Sequence, residues 1–102
     1  MTAVTLVRAA ELSDVAQYAY AATAPQNARL IFLAGACPIE QDGSTAAVGD
    51  HAGQARKCIE NLETALAAAG AVLTDVISTR VLVASTDRAE LRTAWAVVRD
   101  AF

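Results

Sequence analysis

The side chains whose types first suggest nucleophilic, metal-binding or near-neutral acid–base chemistry are two cysteines, Cys37 and Cys58, and a single histidine, His51. Ser44, Ser78 and Ser85 have no neighbouring signal of an activated nucleophile. A reactive Cys37 would need a cation or a helix N-terminus to lower its pKa, and nothing close in sequence supplies one. Both cysteines are therefore expected as buried free thiols, one in a strand and one on a helix face, with no disulfide framework. His51 directly follows a helix N-cap, where a solvated imidazole is the ordinary outcome. One histidine and two distant cysteines do not make a metal site. The sequence has no Gly-x-Gly-x-x-Gly, phosphate loop or Gly-x-Ser-x-Gly, and no cofactor is expected. Arg80 stands mid-strand among apolar neighbours, where an interface charge is favoured over an anion ligand.

None of these residues defines a reaction, and the whole chain excludes further function classes. The formal charge of −3 offers no basic face for nucleic acid. No segment reaches the roughly 18–20 apolar residues that cross a bilayer; the longest run, Leu30 to Cys37, is too short. Residues 1–14 carry Arg8, Glu11 and Asp14 without an apolar stretch, so no secretory signal is expected and a cytoplasmic location follows. With 102 residues the chain reads as one domain, residues 1–102.

The elements that must position these groups are legible in order. Val4 to Ala10 is a short, weakly alternating strand. Val15 to Ala24 alternates better, with Tyr18, Tyr20 and Ala22 on one face and Gln17, Ala19 and Ala21 on the other. Pro25-Gln26-Asn27 supplies a turn, and Leu30 to Ala34 follows, which predicts a hairpin. Gln41-Asp42-Gly43-Ser44 marks another turn. Asp50 is a good N-cap for a helix whose apolar stripe is Ala55, Cys58, Ile59, Leu62, Leu66 and Ala69, and Gly70 stands where the helix must end. Gln54, Lys57, Glu60, Glu63 and Thr64 lie mainly off that stripe. Val76 to Ser85 reads as a strand. Thr86 or Asp87 then caps a second helix with Leu91, Ala94, Trp95, Val98 and Phe102 buried, and Glu60, Glu63, Glu90 and Arg92 as solvated helix charges. A sheet with both helices on one face is the economical α+β arrangement.

That arrangement leaves one face of the sheet bare, whereas Leu30–Ala36 is apolar on both sides. A strand of that kind must be covered on both sides. Burying each Leu or Ile contributes on the order of 1.5–3 kcal/mol, a large share of a small domain's stability. The simplest cover is another copy of the chain, so an oligomer is expected.

Two stretches carry a family likeness. The run Gln54-Ala55-Arg56, Ile59-Glu60-Asn61-Leu62, Leu66, Ala68-Ala69-Gly70-Ala71, Leu73, Asp75-Val76-Ile77, Thr79, Val81 and Val83 resembles the central signature of the Rid (YjgF-like) family. Leu33-Ala34-Gly35-Ala36-Cys37-Pro38-Ile39 is similar to that family's Ser-Gly-Gln-Ile-Pro segment. The resemblance covers about residues 15 to 102. It implies a chorismate-mutase-like mixed β-sheet with two helices packed on one face, assembled as a homotrimer with ligand clefts between subunits. It further implies hydrolysis of small reactive enamines or imines, such as 2-aminoacrylate, to 2-oxo acids and ammonia; the alternative is a non-catalytic trimer binding a small metabolite in the same cleft.

The residues matched to substrate binding are Tyr18, Gly35, Ala36, Cys37 and Trp95. Tyr18 is either a ligand-contacting phenol or packing, Gly35 either a point of ligand approach or a bulge, and Trp95 either core or cleft lining. Gln17 replaces the family's Pro, Tyr20 its Gln, Ala34 its Ser and Trp95 its Asn, as in a divergent subgroup. The family's Arg and Glu come from strands after the second helix. The sequence ends at Phe102, so the fold is expected to be incomplete at its C-terminus.

Overall fold

The structure, a computed structural model, describes residues 3–16 and 18–102; the expectations for Gln17 lie outside them. Its elements are strand β1 (Thr5–Val7), strand β2 (Ala21–Thr23), helix α1 (His51–Ala68), a single 3-10 turn (Leu73–Asp75) and helix α2 (Arg88–Ala101). This is an α+β chain. None of its described helices is long and apolar enough to cross a membrane.

Helix α1 is closed at both ends by local chemistry. The Asp50 carboxylate accepts from the Gly53 N–H at 2.9 Å, satisfying one of the donors that a helix start leaves open. At the other end Gly70 takes φ +82°. Its N–H donates to the Ala67 carbonyl at 3.0 Å, and the Ala71 N–H donates to Leu66 at 2.8 Å, the paired bonds of a Schellman ending. The Arg29 guanidinium donates to the Ala69 carbonyl at 2.9 Å and closes that end further. Helix α2 starts on Asp87, whose side chain accepts from the Ala89 N–H at 2.8 Å. All three helix-end residues read from the sequence are in place.

The two helices begin side by side. His51 Nδ1 lies 2.8 Å from the Glu90 carboxylate, joining the first turn of α1 to the first turn of α2. Glu90 also accepts from the Ser85 hydroxyl at 3.1 Å, and that hydroxyl accepts from the Asp87 N–H at 3.0 Å. His51 and Glu90 are therefore paired with each other, where solvated side chains were expected. The sequence could not show this because the partners are 39 positions apart. Among the described residues the buried apolar ones are Ala46, Ala55, Leu66, Ala71, Ala94 and Val98. Four of these are alanines, which let the helices approach closely but remove little apolar surface from water.

The sheet departs from the expected hairpin. β2 pairs antiparallel with β1, in register Thr5 to Thr23, Leu6 to Ala22 and Val7 to Ala21, and not with Leu30–Ala34. The described part of Leu30–Ala36 and of Val76–Ser85 lies outside any strand ladder. The physical reason is that a strand apolar on both faces is stable only between paired neighbours and two covering layers. Around Leu30–Leu33 the side chains alternate sharply in exposure: Leu30 76% and Phe32 90%, against Ile31 37% and Leu33 36%. One side is half-covered and the other is bare.

The consequence is measurable in the whole surface. A compact monomer of 10.6 kDa exposes about 5,500 Å², whereas this chain exposes 7792 Å². Its radius of gyration is 15.2 Å, above the roughly 13 Å of a compact chain of this length.

Trp95 and Phe102, both expected in the buried stripe of α2, are each 49% exposed; Leu91 is exposed as well, and only Ala94 and Val98 of that stripe are buried. On α1 only Ala55 and Leu66 are buried, so the helix pair covers a narrow strip of each helix and leaves the indole half in solvent.

One glycine tests this picture. A Cβ on Gly53 would lie 2.8 Å from the Ala47 Cβ and 2.4 Å from the capping carboxylate of Asp50. Gly→Ala inside a helix ordinarily stabilises by about 0.5–1 kcal/mol. Here Gly53→Ala is expected to destabilise instead, by about 1 kcal/mol or more, because it displaces the N-cap. Urea unfolding of the two proteins reads the sign directly.

Candidate functional site

The segment singled out from the sequence, Gly35-Ala36-Cys37, enters a short folded loop at Pro38. Ile39 and Thr45 form an antiparallel bridge. The Ala46 N–H donates to the Pro38 carbonyl at 2.8 Å and the Glu40 N–H to the Ser44 carbonyl at 2.8 Å. The turn is made by Gln41 to Ser44, as its residues suggested. Gly43 takes φ +88°, and the Asp42 carboxylate accepts from both the Ser44 N–H, 2.9 Å, and the Ser44 hydroxyl, 2.6 Å. The two Ser44 donors hold Asp42 below the usual carboxylate range, the hydroxyl more than the N–H.

This loop is fastened to α1 by a polar stripe. Gln54, Lys57 and Asn61 recur at spacings of three and four, so they share one helix face. Gln54 donates to the Ala46 carbonyl at 3.2 Å. Lys57 pairs with Glu40 of the loop and Glu60 of its own helix, both at 3.2 Å; Glu40 first, then Glu60, keep its ammonium protonated to higher pH than an ordinary lysine. The Asn61 amide donates to two carbonyls, Cys37 at 2.9 Å and Ile39 at 3.0 Å. Both donors of one side chain are thus spent on fixing the backbone that leads out of Gly35-Ala36-Cys37. Reading the sequence as helix faces placed Gln54 and Lys57 off the apolar stripe but gave Asn61 no role. Its signal was available: an amide with two donors at the spacing of Gln54 and Lys57.

Gly35 is exposed, and a Cβ built on it would meet nothing within 4 Å. Its φ is not in the left-handed region, in contrast to Gly43, Gly49 and Gly70. Within this chain neither packing nor backbone conformation requires glycine there. Ala36 is half-buried. Cys37 is exposed and Cys58 half-buried, so neither is the fully buried thiol expected; the loop bends Cys37 outward while Cys58 stays on the flank of the helix stripe. Burial, and after it the nearby Cys37 thiol, push the Cys58 thiol above its ordinary value.

Tyr18 and Tyr20 do share a face. Their rings meet edge to face with centroids 5.2 Å apart, a favoured geometry for aromatic pairs. The Tyr20 hydroxyl donates to the Ser13 carbonyl, and the Arg8 guanidinium donates to the Tyr18 carbonyl at 3.0 Å. Desolvation, then the Tyr18 phenol beside it, raise the Tyr20 pKa. Arg80 is exposed. Among the described residues no hydrogen bond, ion pair or ring contact joins Tyr18 or Trp95 to Gly35-Ala36-Cys37. No group of three or more His, Cys, Asp or Glu among them is placed to hold a metal ion. A shallow cleft of about 350 Å³ on the helix pair is lined by Arg56, Ile59, Val97, Asp100 and Ala101 and includes none of the candidates.

Residues 9–101 match the family model described as Endoribonuclease L-PSP. The chain belongs to this family, the Rid (YjgF-like) proteins, whose fold is chorismate-mutase-like. Comparison with curated proteins and with solved structures gave no match.

The Asn61 clamp can be tested by changing its donors alone. Asn61→Ala removes two hydrogen bonds, each worth about 1 kcal/mol net, and an overall loss of about 2 kcal/mol is expected. Asn61→Asp is expected to cost more at neutral pH, since an ionised carboxylate would face two carbonyl oxygens with no proton to give. Protonation supplies a donor, so the difference between Asn61→Asp and wild type should narrow as pH falls through the new carboxylate's pKa. Denaturant unfolding at several pH values checks both expectations.

Proposed function

We propose that this protein is a Rid-type hydrolytic deaminase, converting small reactive enamines or imines to 2-oxo acids and ammonia. The family match over residues 9–101 carries the reading. The chemistry asks little of a protein: an enamine of the 2-aminoacrylate kind tautomerises to an imine, water adds to the imine carbon, and ammonia departs. That sequence already proceeds in water, so positioning and modest acid–base help suffice. Substrate-binding roles fall to Tyr18, Gly35, Ala36, Cys37 and Trp95. The open space around Gly35 supports close approach of a ligand to the backbone there, and the phenol of Tyr18 would face it from another subunit or segment. No acid–base pair is assigned within the chain.

The same reading includes a homotrimer. In the proposed assembly Leu30–Ala36 and Val76–Ser85 join β1 and β2 in one mixed sheet, with α1 and α2 on one face and sister copies on the other. Supporting this, Leu30, Phe32 and Leu82 are among the most exposed apolar residues of the chain, and the surface in excess of a compact monomer is of the size that subunit interfaces bury. Clefts between adjacent copies would then hold the substrate.

A second reading is favoured by two residues: a non-catalytic trimer that binds a small metabolite in the same cleft. Ala34 lacks the hydroxyl usual at its position, and Trp95 puts an exposed indole where the family has a small amide. An RNA-cleaving role, which the family's description carries, finds no support in a chain of formal charge −3.

Two measurements decide these points. When a pyridoxal-phosphate dehydratase generates 2-aminoacrylate in the presence of the purified protein, 2-oxo acid is expected to form faster than without it. An unchanged rate, with the oligomer intact, rejects the enzyme and leaves the binder. Separately, Phe32→Glu removes no contact that a monomer makes but places a charge on the proposed interface. Sedimentation should show a trimer for wild type and smaller species for the variant; a wild-type monomer at micromolar concentration would overturn the assembly.

A further inference from the structure

Cys37 and Cys58 are 21 positions apart, yet the fold places them on the same patch. The Asn61 amide holds the Cys37 carbonyl at 2.9 Å, and Cys58 lies three residues before Asn61 on α1. Residues three apart on a helix are surface neighbours, with Cβ atoms about 5–6 Å from each other. Cys37 is exposed and Cys58 half-buried. We propose that the two form a reversible oxidation site, in which Cys37 reacts first with a hydroperoxide and Cys58 resolves it into an intrachain disulfide.

The division of labour follows from the surroundings. An oxidant in solution reaches the exposed Cys37 sulfur before the half-buried Cys58 sulfur, and access helps to govern which cysteine is oxidised. Burial first, and then the Cys37 thiol, raise the Cys58 pKa, in keeping with two side chains that lie close together, and Cys58 is the less accessible of the two. In the first step the Cys37 thiolate attacks the terminal oxygen of the peroxide. The S–O bond forms, the O–O bond breaks, two electrons pass from sulfur to oxygen, and the leaving alkoxide or hydroxide takes a proton. In the second step the Cys58 sulfur attacks the Cys37 sulfenic acid. An S–S bond forms, the S–O bond breaks, and the hydroxide leaves as water with the proton that Cys58 gave up. A thiol reductant reverses the result.

The bridge would tie the Gly35–Cys37 backbone covalently to the helix face that Asn61 already holds by hydrogen bonds. This couples the redox state of the protein to the segment assigned to substrate binding, a consequence that rests on the proposed function. The bridge itself does not, and its test is separate.

The full-length protein is treated with a small excess of hydrogen peroxide, digested without reduction and mapped by mass spectrometry. The expected product is a linked peptide pair containing Cys37 and Cys58, two hydrogens lighter than the reduced pair, formed within one chain and lost on adding dithiothreitol. In Cys58→Ser, a 1,3-dione trap should label Cys37 as sulfenic acid; in Cys37→Ser, Cys58 should stay unlabelled at the same dose. Linkage only between chains, or Cys37 driven to sulfinic acid in wild type with no linked pair, would overturn the proposal. So would labelling of Cys58 ahead of Cys37. Circular dichroism of each variant keeps misfolding apart from these outcomes.

Discussion

Helix α1 is the element on which the rest of the described structure hangs, because its backbone groups at both ends and its polar face are satisfied within the chain. Asp50 answers one of the donors at its start, while Gly70, Ala71 and Arg29 deal with carbonyls at its end. Satisfied ends allow a helix to be stable without heavy burial, which matters here since its buried contacts are only Ala55 and Leu66. Its first turn then holds α2 through His51 and Glu90, and its polar stripe holds the Pro38–Ala46 loop through Gln54, Lys57 and Asn61. Hydrogen bonds of this kind add modest net stability, but each fixes a direction.

The sheet side obeys the opposite logic. β1 and β2 pair over three residues, and a two-stranded unit of that size is marginal in water. The apolar segments that should enlarge it have their side chains in solvent, most of all Phe32 and Leu82. A hydrophobic segment contributes to folding only when its surface leaves water, so these residues stabilise nothing until something covers them. The helix layer is thus held by hydrogen bonds and ion pairs inside the chain, whereas Leu30, Phe32 and Leu82 remain in solvent.

These two regimes explain which features were legible beforehand. Asp50, Gly70 and Asp87 could be read from residue type, because a cap acts within two to five positions of itself and needs no distant partner. The Gln41–Ser44 turn belongs to the same class. The β1–β2 pairing was not legible, since Val15–Ala24 has apolar partners of equal quality on both sides in sequence, and only tertiary placement chose Thr5–Val7. Of the candidate site, Gly35 was found by its setting in a family-like segment, whereas Asn61, which anchors that segment, looked like an ordinary polar residue on an exposed face. Its partners lie 24 and 22 positions away. Trp95 failed for a related reason: helical periodicity identified its face of α2, but burial needs an opposing surface, and only Ala94 and Val98 of that stripe are covered.

The sequence by itself therefore determined the family, both ends of α1, the start of α2 and the presence of a segment, Leu30–Ala36, that is apolar on both sides. Only the tertiary structure decided which strands pair, that His51 belongs to Glu90, that Cys37 faces outward near Cys58, and that a single amide fixes the loop beside Gly35. The physical reason is range. Capping, turn geometry and periodicity are properties of a few consecutive residues, whereas pairing and exposure depend on which remote surface arrives opposite, and that is settled by packing.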